Sequence, residues 1–171
     1  MAGTVPLRLR AGDVEDLRVI AAMLQDALVP VADMTFQRRE KRFVLVANRF
    51  RWESRDGEPQ PAQADGDGED DADASFADGE ARPLYERVNC GIRFGKVARV
   101  RMRGLDPQQR DQILSLLTID AEPGAITLVF ADNVAIRLEV SAIDCHLEDI
   151  GEPWPTRWRP FHELDDAEAG D

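Results

Sequence analysis

This chain has little of what builds most recognisable sites. Its 171 residues include 2 cysteines, 2 histidines and 1 tyrosine. Cys90 and Cys145 cannot make a disulfide framework. Together with His146 and His162 they lack the paired, close spacing of a structural zinc site, so no metal is expected. Glycine signatures for phosphate are missing: neither GxGxxG nor GxxxxGK followed by Ser or Thr occurs, and no cofactor is expected. The longest uncharged stretch, Pro123 to Ala131, falls far short of the roughly 18 apolar residues of a membrane span. Met1 to Pro6 has no basic start followed by an apolar run, so no secretory signal is expected and the cytoplasm is the expected compartment. These absences argue against a membrane protein, a secreted disulfide scaffold and a zinc ribbon.

What is present is charge, unevenly placed. The formal net charge is −12. Residues 54–82 hold ten acids and two bases, and residues 163–171 hold five acids and no base, so the rest of the chain is close to neutral. Pro59 to Asp71 has almost nothing apolar to bury and cannot offset the entropy of ordering it. Two disordered acidic pieces are expected: a loop over 54–82 and a tail over 163–171. The chain before the loop is too short to fold alone, so 1–162 is read as one domain interrupted by that loop.

Basic residues cluster on either side of it. Phe36 to Arg51 contains six bases and one acid; Arg87 to Arg103 contains six bases and no acid.

The pattern predicts a strand over Val5–Arg10, then a helix opened by Asp13, whose carboxylate can cap the first turn. Val14, Leu17, Ala21, Leu24 and Leu28, with Ile20 alongside, form its apolar stripe, and Pro30 ends it. Strands are predicted over 32–37, 43–52, 88–94, 97–103, 113–119, 126–131 and 135–140, with Asp132-Asn133 as a hairpin turn. In the second of these, Val44, Val46, Phe50 and Trp52 are expected to share a face. Residues 142–150 fit helix and strand periodicities alike and are assigned to a short closing helix. The fold class is therefore α+β: a largely antiparallel sheet or partly open barrel, with one N-terminal amphipathic helix and a short C-terminal helix. The strand count also suits a pleckstrin-homology-like barrel, an analogy that carries no function.

Three stretches carry a family likeness: Leu24 to Ala27, Arg39 to Glu53, and Ala135 to Val140. With them the chain resembles an uncharacterised bacterial family, the domain-of-unknown-function family numbered 2948. The resemblance implies a bacterial cytosolic protein. It supplies no activity, cofactor or catalytic residue.

Asp144-Cys145-His146 joins three catalytic residue types, but neighbouring side chains point apart on a strand or helix. Cys145 is expected in the core and His146 at the surface. No catalytic residue is assigned. The acidic run from Asp65 lacks the closing glutamate of a calcium loop, since Phe76 stands there. The candidate binding surface has two parts. Arg99, Arg101 and Arg103 alternate on one strand, and Arg49 and Arg51 are expected to extend their stripe. Trp154 and Trp158 straddle Pro155 in a Trp- and Pro-rich strap, either packed on the core or serving as partner anchors. The leading expectation is a non-enzymatic binding or adaptor protein with a protein partner. The alternatives are a nucleic-acid module using the arginine face, and an enzyme whose site is scattered through the sequence. In a further reading of the charges, the acidic loop screens the basic face.

Overall fold

The computed structural model describes residues 5–51 and 85–156. The expected acidic loop and tail, and with them Trp52 and Trp158, lie outside the described residues.

The chain opens with β1 (Arg8–Ala11) and α1 (Val14–Met23), then β2 (Leu28–Pro30), a 3-10 turn at Val31–Asp33, β3 (Met34–Gln37) and β4 (Arg42–Phe50). It continues with β5 (Tyr85–Phe94), β6 (Val97–Arg103), β7 (Ile113–Glu122), β8 (Ala125–Phe130), β9 (Ala135–Val140) and β10 (Cys145–Thr156). All strand pairings are antiparallel, in the order β1-β10-β5-β4-β2-β7-β8-β9-β6, with β3 also on β4. The sheet is open, with β1 and β6 at its ends. This is mainly a sheet protein with one helix rather than a balanced α+β fold. Nothing in the strand order singles out a pleckstrin-homology-like arrangement.

Helix α1 starts as expected. Asp13 is extended, and its Oδ1 accepts the Asp16 N–H at 2.8 Å, while Glu15 and Asp16 sit at the positive helix end. Leu17, Ile20 and Leu24 are buried. The helix stops at Met23, so the apolar stripe does not run on to Leu28. Asp26 adopts φ 62°, its N–H donates to the Leu116 carbonyl at 2.8 Å, and the chain turns into β2. There Leu28, Val29 and Pro30 pair with Ser115, Leu114 and Ile113 of β7. A cross-strand partner outside the reach of local periodicity ends the helix one turn early.

The core lies on one face of the sheet, with Phe43, Leu45, Ala47, Ile92, Phe94, Ile126, Leu128 and Ile136 among its buried residues. In β4 the odd-numbered residues 43 to 49 point inward, with Val44 and Val46 only half-buried. Val44 and Val46 fall on the same alternation, as expected, and the opposite, odd-numbered positions hold most of the strand's buried residues. Both faces of the segment are apolar, so its own sequence offers little to choose between them.

The expected closing helix over 142–150 is not there. Residues 145–150 are the first half of β10, held between β1 and β5. Cys145 and Leu147 face the core while His146 and Glu148 face outward, a period of two. As a strand, the segment pairs with main chain on both sides, Cys145–Glu148 with β1 and Cys145–Ile150 with β5, which an isolated helical turn could not do. Asp132 and Asn133 take φ 64° and 60°, the two left-handed residues of a tight hairpin between β8 and β9.

Candidate functional site

Strand β6 supplies the arginines, and its neighbours decide what they meet. Arg99, Arg101 and Arg103 are exposed along one face. Alternate residues on a strand stand roughly 7 Å apart. On β9, Arg99 pairs with Glu139, Arg101 with Arg137 and Arg103 with Ala135. On β8, Thr127 is opposite Arg137. Arg101, Arg103 and Arg137 thus surround a floor made by the small residues Thr127 and Ala135, a shallow groove of about 280 Å³. No carboxylate lines it.

Two like charges directly opposite, as at Arg101 and Arg137, repel. Carboxylates one register step away offset them. Glu139 takes Arg101 Nε at 3.3 Å and Arg99 Nε at 3.9 Å, and Glu122 pairs with Arg137. Arg103 has no ion pair among the described residues. The side chains of Arg99 and Arg101 keep 62% and 61% of their surface exposed, so these pairs are loose and screened. A competing anion can displace them. Arg137 and the floor residues were not among the sequence candidates. The signal lay in the alternation of Ile136, Leu138 and Val140 with Arg137 and Glu139, but the alignment of Arg137 with Arg101 required the strand register.

The other arginines of the expected stripe are elsewhere. Arg49 does not extend it: its side chain is fully buried, on the core face of β4. Its Nε and Nη2 donate to Oδ1 and Oδ2 of Asp149, each at 2.8 Å, and Asp149 Oδ2 also accepts the Leu7 N–H at 3.0 Å. A guanidinium cannot shed its proton, so its burial demands such a partner. Arg51 lies just beyond β4 and is largely covered, paired with Glu86. Four strands separate β4 from β6 in the sheet order. The stripe therefore reduces to β6.

Trp154 is half-buried on β10, opposite Arg87 of β5, after an irregularity that begins at Ile150. The first part of the expected strap, up to Thr156, is thus a strand. Trp158 is outside the described residues. Burial lowers the Arg87 pKa, and the charge of Asp26 works against that shift. Arg87 also donates to Asn48 Oδ1 at 3.0 Å.

Cys145 is fully buried, and its thiol is pushed up to about 12, first by burial and then by the charge of Asp144. His146 points to the opposite face, with Nε2 3.2 Å from Asp144 Oδ1. Cysteine and histidine are on opposite sides of the sheet, as period-two geometry demands. Among the described residues no group of three or more His, Cys, Asp and Glu could hold a metal ion. No helix there is long and apolar enough to cross a membrane.

The chain belongs to the family described as a protein of unknown function, DUF2948, whose model matches residues 7–162. No curated protein and no solved structure matches it.

Proposed function

We propose that this protein is a non-enzymatic, cytoplasmic binding module whose arginine groove takes an acidic segment of a partner protein. One observation carries the reading: three arginines, with Met102, line a groove whose floor residues are small and whose lining holds no carboxylate. Arg103 is the least engaged of them and is the first contact. Carboxylates on alternate residues of an extended peptide repeat at the spacing of Arg101 and Arg103 along β6. No aromatic ring lines the groove, which favours a peptide over a single nucleic-acid strand, whose bases need stacking platforms.

The test is fluorescence anisotropy with a labelled octaglutamate peptide and the full chain at low salt. Replacing Arg101 and Arg103 together by Ala should weaken binding by about fivefold or more. Roughly 0.5 M salt should abolish it. Unchanged affinity in the double variant would refute the groove. Tighter, equally arginine-dependent binding of a thymidine oligonucleotide would replace the peptide reading with the nucleic-acid one.

A further inference from the structure

A second groove, independent of the arginines, lies between α1 and β7 and has a volume of about 620 Å³. Its construction follows from the pairing of β7. The first part of that strand is flanked by β2 on one side, through residues Ile113 to Ser115. Leu116 closes this stretch by accepting the Asp26 N–H at 2.8 Å and donating to the Ala27 carbonyl at 2.9 Å. That tether fixes the end of α1 beside β7. Register then slips between Leu116 and Thr118, and from Thr118 to Glu122 the strand pairs with β8 alone. On its other side the main chain has no strand partner among the described residues and faces the groove, with α1 as the opposite wall.

We infer that this groove is a strand-addition site for an extended, uncharged segment of a partner protein, which pairs with the free edge of β7 and lies under α1. Main-chain donors and acceptors repeating along a strand edge are satisfied only by another extended main chain. The walls are apolar and small where side chains would insert: Leu17, Ala21 and Ala22 on α1, Leu117 and Ala121 on β7. Leu117 is 46% exposed and Val14, at the far end of the same groove, 40%. One cation, Arg18 on α1, and one anion, Asp120 on β7, line it, so the groove carries no net charge to attract a charged peptide. Such a groove offers no charge complementarity to the chain's own 54–82 segment with its ten acids, which argues for a different occupant. The same neutrality separates this site from the arginine groove, which selects acidic chains. Pairing of two such five-residue edges, with no further contact, would fall short of the roughly 800 Å² per partner of a stable dimer.

The experiment uses the full chain, isotope-labelled for NMR, and an uncharged probe peptide of alternating serine and valine, capped at both ends. Without peptide, the groove-facing amides of Thr118 to Glu122 should exchange quickly. With peptide at roughly 5 mM, a concentration suited to a weak short segment, shifts should concentrate on Thr118 to Glu122 and α1. Exchange at those amides should slow by about tenfold or more. The variant Ala22→Trp fills the groove from the exposed side of α1 and should remove the response while leaving the thermal melt unchanged. Four results would overturn the inference: no perturbation at saturating peptide, an equal response in Ala22→Trp, tighter binding of a 54–82 peptide, or concentration-dependent self-association through β7.

Discussion

Asp149→Ala is the sharpest test of how this fold is held together. Asp149 is 5% exposed and gives both oxygens to Arg49, which is fully buried. One of those oxygens also takes the Leu7 N–H just before β1. The carboxylate therefore joins the N-terminal strand, β10 and, across β5, β4. Removing it takes away the charge that offsets a buried guanidinium and strips Leu7 of its acceptor. Breaking one partner of a buried ion pair costs about 3–5 kcal/mol. Domains of this size are stable by only about 5–15 kcal/mol, so the variant should lose a large share of its stability. With a urea slope of about 2–3 kcal/mol per molar, the midpoint should fall by roughly 1–2.5 M. The double variant Arg49→Met, Asp149→Leu removes both charges and keeps apolar volume. It should recover most of the loss, because well-packed apolar replacements of buried pairs are often neutral. Equilibrium urea unfolding followed by circular dichroism measures all three chains. A loss under about 1 kcal/mol for Asp149→Ala would mean that water reaches the pair and the burial argument is wrong. A double variant no better than the single one would mean that the pair supports the fold by more than cancelling its own charges.

Other outcomes follow from single positions. Gly104 has φ 73°, and a Cβ there would lie 2.7 Å from the Asn133 carbonyl oxygen. Gly104→Ala should therefore cost about 1–3 kcal/mol, read as a lowered thermal midpoint. Buried Cys145 should resist iodoacetamide at pH 8 until urea unfolds the chain, and rapid native labelling would contradict its placement in the core. Because its folded thiol is raised to about 12, its contribution to stability is complete below the unfolded thiol's range. It should fade as pH climbs toward 12, since the unfolded state ionises first. A Cys145→Ala chain should show a flatter decline over that range in pH-dependent unfolding. Deleting residues 58–80 removes nine acids and no base, and octaglutamate binding at low salt should strengthen; an unchanged affinity would show that this segment does not compete for the arginine groove.

Much of this protein is written locally. The Asp13 cap, the Leu17-Ile20-Leu24 stripe, the extent of β6 and β9, and the left-handed Asp132-Asn133 turn all follow from side chains within a few residues of each other, where period and capping operate. The exposed alternation of Arg99, Arg101 and Arg103 was legible for the same reason. Three other features depended on partners distant in sequence. Leu28 left the helix for β2 because β7 offered it a ladder. Residues 145–150 became strand because β1 and β5 flank them, although their own spacing served a helix equally well. Arg49 went inside because β4 is apolar on both faces, and the face that turned inward was the one carrying arginine, with Asp149 a hundred residues away in sequence waiting for it. A local pattern sets which residues can form a strand, but register and facing are settled only when the neighbouring strands bring their own hydrogen bonds and charges to it.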